Sequence, residues 1–252
     1  MSNKIALVTG GSRGLGRDMA INLAKKGIDV IITYHSNQEA ANEVITEIEA
    51  NGQKAIALQL DVTQISSFDT FISSLKNSLK SSFGTDKIDY LVNNGGFIHF
   101  SPLKDVNENL FDELLNVHFK GPFFLTQKLL ENMNNGGGIV NVSTGLARFS
   151  KPGFGTYAAM KGAVETLTKY QATELGAKHI RVNVVAPGPI ETDVMGGVVR
   201  DNKDMNAHLA SETALGRVGL PDDIGSVVAF LCTDDAKWIN GQRIEISGGM
   251  IL

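Results

Sequence analysis

Short apolar runs alternate with longer amphipathic stretches along the whole chain, and this rhythm predicts the architecture before any chemistry is considered. Ile5 to Thr9 is an apolar run with the length of a buried strand, followed by a helical pattern from Leu15 to Lys26 that stops at Gly27. Asp29 to Tyr34 predicts a second strand, and Asn37 is placed to cap a helix running to Ala50. Five further strands are predicted at Lys54 to Leu60, Ile88 to Val92, Gly138 to Val142, Ile180 to Val185 and Arg243 to Ile246. Helical patterns occupy 65–80, 107–133, 154–177 and 221–232, the last with Pro221 where a first turn tolerates proline. Continuously apolar strands separated by helices imply a parallel sheet covered on both faces. The predicted fold is therefore α/β, a Rossmann-like doubly wound parallel sheet of about seven strands. No linker or repeat interrupts it, so residues 1–252 are expected to form one domain.

Composition narrows the function classes. The chain is 42% hydrophobic and 20% charged, with 27 glycines and a formal net charge of −4. That balance gives no electrostatic reason to expect nucleic acid or an anionic membrane as partner. One cysteine, Cys232, rules out an intramolecular disulfide and suits a reducing compartment. Only Met-Ser-Asn-Lys precedes the first strand, so no signal peptide is expected, and no apolar run reaches membrane-spanning length. A cytoplasmic protein is expected, and no metal site.

The candidate cofactor site follows the first strand. Thr9-Gly10-Gly11-Ser12-Arg13-Gly14-Leu15-Gly16 has glycines at 10, 14 and 16 in place of the G-x-G-x-x-G fingerprint. The physical requirement is still met, because glycines permit a tight turn and let backbone approach a pyrophosphate at a helix N-terminus. The second strand ends Tyr34-His35-Ser36 with no carboxylate to hold a ribose hydroxyl or repel a 2′-phosphate. Arg13 offers a charged fork suited to phosphate. The turn thus favours NADP(H) over NAD(H).

Tyr157 and Lys161 are the candidate chemistry. They stand four apart in a helical stretch, so they share a face, and a nearby ammonium favours the phenolate. A tyrosine whose pKa is drawn down from about 10 toward working pH can serve as a general acid or base. The same spacing also occurs on ordinary surface helices; its company decides its meaning.

Thr9-Gly10-x-x-x-Gly14-x-Gly16, Asp61-Val62, Asn93-Asn94-Gly95-Gly96, Asn116-Val117, Ser143-Thr144, Tyr157-x-x-x-Lys161 and Pro187-Gly188 together resemble the short-chain dehydrogenase/reductases of the compact type, in order and over essentially the whole chain. The stretches Gly216 to Gly219 and Gly241 to Met250 resemble the 3-oxoacyl-carrier-protein reductase branch and related carbonyl reductases. The resemblance implies that Tyr157 exchanges a proton with the substrate oxygen, while Lys161 lowers the Tyr157 pKa and binds the nicotinamide ribose. It implies that Asn116 holds a water linking Lys161 to solvent. Asp61 and Val62 would receive adenine, Asn93 and Gly95 would support the cofactor-side strand, and Pro187, Gly188, Ile190 and Thr192 would flank the nicotinamide. The family's substrate-orienting serine falls at position 144, a threonine here, with Ser143 just before it. Strand alternation turns the two hydroxyls to opposite faces and favours Thr144.

Beyond the strand ends lie Phe97, Ile98, Phe149, Phe154 and Met195, an apolar lining for a small-molecule carbonyl or alcohol substrate. His99 reads as an ordinary loop residue. Residues 193–215, with Gly196-Gly197, are expected to form a mobile lid. An acyl-thioester on an acidic carrier protein would need a basic docking patch. The family's positions for it hold Glu131 to Asn135 and only Lys178, so carrier-protein reductase is the alternative to a general carbonyl reductase. A catalytically silent cofactor-binding regulator is disfavoured by the intact Tyr157, Lys161 and Asn116. The apolar terminus Gly248 to Leu252 and the resemblance lead us to expect a homotetramer.

Overall fold

The computed structural model describes residues 3–252; Met1 and Ser2, the start of the short lead-in, lie outside the described residues. Seven strands, β1 (Ile5–Val8), β2 (Asp29–Tyr34), β3 (Ala55–Gln59), β4 (Ile88–Asn93), β5 (Met133–Val142), β6 (Arg181–Pro187) and β7 (Arg243–Ile246), form one sheet in the order β3-β2-β1-β4-β5-β6-β7. Every pairing is parallel.

The apolar strands have no polar face because both faces are covered. In β1, Ala6 and Val8 pack into one buried cluster with helices α1 (Gly14–Lys25), α2 (Gln38–Ala50) and the late helix Pro221–Leu231, whereas Ile5 and Leu7 pack into the other. That second cluster holds Phe68, Phe71 and Leu75 of α3 (Phe68–Ser78) and, from later helices, Leu125 and Ala172. Period-two alternation thus feeds two cores from one run. Asn37 caps α2 as expected, accepting from the Ala40 N–H at 3.0 Å.

Three predicted elements differ in detail. The pattern read as one helix over 107–133 is α4 (Glu108–Leu115), a π-helical stretch Asn116–Lys120, and α5 (Gly121–Leu129). Pro122 has no N–H to return to the His118 carbonyl, so the regular ladder cannot run through this point. Gly121 lies against the 61–63 loop, where a Cβ would come within 2.2 Å of the Val62 carbonyl oxygen. Next, β5 begins at Met133 rather than Gly138, through a register shift opposite Ile88–Tyr90 and with Gly136 at φ +80°. After α6 (Gly155–Glu174), the expected lid segment contains two helices, α7 (Val198–Asp201) and α8 (Lys203–Ser211), ahead of α9 (Pro221–Leu231).

Candidate active site

Sheet order reverses direction at β1, whose neighbours β2 and β4 lead outward to opposite edges. Ligands of open α/β sheets bind in the crevice at such a point, beyond the carboxyl ends of the strands. A cleft of about 1200 Å³ lies there.

The cleft gathers nearly every residue singled out in the sequence. Gly10, Ser12, Arg13, Gly14, Leu15 and Gly16 line it from the first turn, Tyr34 and His35 from the end of β2, and Asp61 and Val62 from beyond β3. Gly95, Asn116, Ser143, Thr144, Tyr157, Lys161, Pro187, Gly188, Ile190 and Thr192 complete the wall. Two do not line it. Ser36 is exposed, and Asn93 is buried beneath the wall, donating to Thr126 Oγ1 (3.0 Å) and Asn141 Oδ1 (2.9 Å). Phe97, Ile98 and Met195 reach the cleft as expected, but Phe149 and Phe154 do not. Phe154 packs edge-on against Phe100 at 5.4 Å, and Phe149 lies under the Arg148 guanidinium. His99 is exposed outside it.

The first turn fits a dinucleotide pyrophosphate. Gly10 has φ +64° and Gly14 φ +53°, and a Cβ on Gly16 would stand 2.1 Å from the Gly10 carbonyl oxygen. Any side chain at 16 would push the start of α1 off the first turn, whose close packing shapes the cradle. The Arg13 side chain is exposed and makes no hydrogen bond or ion pair among the described residues, leaving its fork free for a phosphate. Asp61 lies 3.6 Å from His35. Burial pushes its carboxyl up, but hydrogen bonds from the Thr63 hydroxyl (2.7 Å) and N–H (2.9 Å) win and hold it below the usual range.

At the other end α6 presents Tyr157 and Lys161, both buried. The Thr144 hydroxyl faces Tyr157 and pulls its pKa down. Ser143 faces elsewhere: its hydroxyl donates to Glu165 Oε1 at 2.7 Å, and Glu165 is gripped by Arg243 at 2.7 Å. The strand alternation read from sequence is therefore the observed one.

The electrostatics depart from expectation. Burial pushes the Tyr157 hydroxyl above its ordinary pKa, with only the Thr144 hydroxyl pulling down. Lys161 donates to the Val142 carbonyl at 2.8 Å, and its Nζ is 5.9 Å from the Tyr157 ring centre. Burial also lowers Lys161 to about 8, because a desolvated ammonium is disfavoured. The chain alone does not draw Tyr157 toward neutrality; desolvation outweighs the helical neighbour.

Asn116 lines the cleft half-buried, with no side-chain hydrogen bond among the described residues. From the same helical stretch His118 meets Tyr157, its ring edge-on to the tyrosine at 5.1 Å between centres. The sequence reading did not single out His118. In a regular helix residues two apart point about 200° from one another, so a register aiming Asn116 at the site turns His118 away. Pro122 was the available signal that the register breaks.

Residues 10–251 match a family model described as enoyl-(acyl carrier protein) reductase. A probable tetrahydroxynaphthalene reductase from Zymoseptoria tritici is 37% identical over 98% of this chain and 94% of its own length. Among solved structures, the promiscuous reductase LugOII, which catalyses keto-reduction at C1 during lugdunomycin biosynthesis, superposes with a TM-score of 0.94 at 37% identity, covering 99% of this chain and 98% of that one. The angucycline C-6 ketoreductase LanV, solved with bound NADP, gives a TM-score of 0.93 at 37% identity over 98% and 95% of the two chains.

Proposed function

The chain belongs to the short-chain dehydrogenase/reductase family, and on that footing we propose that it is an NADP(H)-dependent ketoreductase with Tyr157 as the general acid. The observation that carries this reading is the buried Thr144–Tyr157–Lys161 group at the end of a cleft whose other end is a glycine cradle beside the free Arg13. NADPH would supply the hydride. Gly10, Gly14 and Gly16 would admit its pyrophosphate, Arg13 its 2′-phosphate, and Pro187, Gly188, Ile190 and Thr192 would bound the nicotinamide end.

This chain's own residues then have defined work. The Thr144 hydroxyl and the Tyr157 hydroxyl form a pair of donors for a carbonyl oxygen. As negative charge develops on that oxygen, Tyr157 releases its proton to it. A buried phenol holds its proton until a strong base appears, so the raised pKa suits an acid that acts only in the transition state. Lys161 stabilises the phenolate left behind, and the apolar surroundings strengthen that interaction. Phe97, Ile98, Met195 and Val199 give the substrate an apolar wall.

We propose a ketone carried on an aromatic or fused-ring skeleton as the substrate class. The apolar wall supports it, as do the hydroxynaphthalene and angucycline substrates in the names of the relatives. Carrier-protein reduction stands second. Lys178, the single base at the expected docking position, is paired with Glu131 at 3.7 Å, and Asp112, Glu113 and Asp193 line the cleft, which disfavours an acidic partner. Helices α7 and α8 supply the substrate lid, and exposed Trp238 and Leu252, each 96% accessible, support assembly into a homotetramer. No described helix is long and apolar enough to cross a membrane. The test is NADPH consumption across fused-ring ketones, simple ketones and acyl-thioesters. Turnover of fused-ring ketones ahead of the others supports the reading, and turnover confined to acyl-thioesters overturns it.

A further inference from the structure

Behind the wall of the cleft runs a chain of alternating charges that the mechanism above leaves unused. Its members are Glu165 of α6, Arg243 and Glu245 of β7, and Arg148 of the loop after β5. Arg243 Nε donates to Glu165 Oε1 at 2.7 Å, its Nη1 to Glu245 Oε2 at 2.8 Å, and its Nη2 to the Thr144 carbonyl at 3.3 Å. Arg148 grips the same Glu245 with Nε and Nη2, at 2.7 and 2.8 Å, and also donates to the Met250 and Ile251 carbonyls at 2.6 and 2.7 Å. The side chains are mostly buried, from 17% accessible at Glu165 to 34% at Arg148, so salt screens them less than an ordinary surface pair. None of them lines the cleft. What the chain reaches is the backbone of a residue that does. The pairing of β5 with β6 ends at Val142 opposite Val185, with the Ser143 N–H still bonded to the Val185 carbonyl at 2.8 Å. Thr144 is the first residue beyond that ladder. Its carbonyl accepts from Arg243 and, at 3.2 Å, from the Ala147 N–H.

We infer that Arg243 is a positioning residue for the reaction, aiming the Thr144 hydroxyl at Tyr157 by holding the Thr144 backbone from outside the cleft. The inference rests on the reading of Thr144 and Tyr157 as the donors to the substrate carbonyl. Carboxylates on two sides fix the plane of the guanidinium, and its third contact then falls at a set place on the Thr144 carbonyl. A β-branched side chain has few rotamers, so the threonine hydroxyl goes where its backbone is held. Ser143 does not duplicate this hold, because the sheet already anchors it through its N–H. Arg243 exchanges no proton and touches neither substrate nor cofactor; it acts only through Thr144.

A double-mutant cycle separates this role from packing. Arg243→Lys keeps the positive charge between the carboxylates and loses the fork that reaches Thr144. In the wild-type background kcat should fall by about 10-fold, short of the 10²-fold that a 1 Å misplacement can cost, with ketone KM and NADPH affinity within about twofold. In Thr144→Val, where no hydroxyl remains to be aimed, the same substitution should change kcat by less than about twofold. A merely structural role lowers the melting temperature and divides kcat by the same factor in both backgrounds. Equal factors overturn the inference, as does an Arg243→Lys enzyme with wild-type kcat. Glu245→Gln is the milder variant should Arg243→Lys not fold. It frees one side of Arg243, and its loss of about threefold in kcat should vanish in Thr144→Val; a loss that persists there, or no loss in either background, overturns the inference. Thr144→Val alone distinguishes the two levels. A fast Thr144→Val overturns the reading of Thr144 and this inference with it, whereas a slow Thr144→Val with equal factors in the cycle overturns this inference alone.

Discussion

Thr144→Val and Ser143→Ala remove one hydroxyl each from adjacent residues, and the structure assigns them opposite consequences. The Thr144 hydroxyl pulls the Tyr157 pKa down and accepts from the Leu146 N–H at 3.3 Å. Valine keeps the branched shape but leaves the Leu146 N–H without its acceptor, at a cost of about 0.5–1.5 kcal/mol in stability. In turnover the loss is larger, because the donor acts where charge develops. A preorganised donor of that kind contributes about 2.7–4 kcal/mol, or roughly 10²–10³ in kcat. The Ser143 hydroxyl instead donates to Glu165 at 2.7 Å, and Arg243 still holds that carboxylate when the serine is gone. A hydrogen bond to a charged group contributes about 1.5–3 kcal/mol, so Ser143→Ala should lower the melting temperature and leave kcat within about threefold. Steady-state NADPH oxidation with thermal melts of the same preparations reads both effects. A Ser143→Ala enzyme slower than Thr144→Val would refute the reasoning, since it would mean that the hydroxyl bound to Glu165 is the one that meets the substrate.

Three further outcomes follow from named contacts. Arg13→Ala should weaken NADPH by about 1.5–3 kcal/mol, the contribution of one charge-assisted pair, and leave NADH unchanged in fluorescence titrations; equal losses for both cofactors would count against a 2′-phosphate contact. Gly16→Ala should abolish NADPH binding, because its Cβ would stand 2.1 Å from the Gly10 carbonyl oxygen, and calorimetry showing wild-type affinity would contradict the cradle. Burial lowers Lys161 to about 8 from an unfolded value of 10.5, so between these values the unfolded chain binds more protons and the folded state gains stability as pH rises. From pH 8 to 10 the gain is about 2 kcal/mol. Because Cys232, pushed up to about 12 by burial, acts in the opposite sense above pH 9, the gain is read as the wild-type minus Lys161→Met difference in denaturant melts. A difference that is flat with pH would show that Lys161 is not desolvated.

Most of the fold was legible because its signals are local. Runs such as Val30 to Ile32 are apolar at every position, which only a sheet covered on both faces explains, and the observed split of β1 between two cores is that logic realised. Tyr157, Lys161 and the glycine turn were legible because their chemistry depends on short, fixed spacings. The helix after Asn107 was not. Pro122 forces a break, but where a chain stores the extra residue depends on what packs against it, and Gly121 against Val62 is a contact between distant segments. The register beyond the break brings His118 to the tyrosine while Asn116 still lines the cleft, so this part of the site was hidden. The Tyr157 pKa was misjudged for a related reason: helical spacing shows the neighbour, whereas burial depends on the whole tertiary structure.

The central claim is that Tyr157 donates the proton in an NADPH-dependent carbonyl reduction, and Tyr157→Phe tests it most directly. The ring stays in place against His118, and only the hydroxyl is removed. Rapid-mixing NADPH oxidation with a ketone that the wild-type enzyme reduces should show the rate falling by about 10²–10⁴, the range that positioned acid catalysis supplies, while NADPH affinity stays within about twofold. Near-wild-type hydride transfer by Tyr157→Phe would contradict the account.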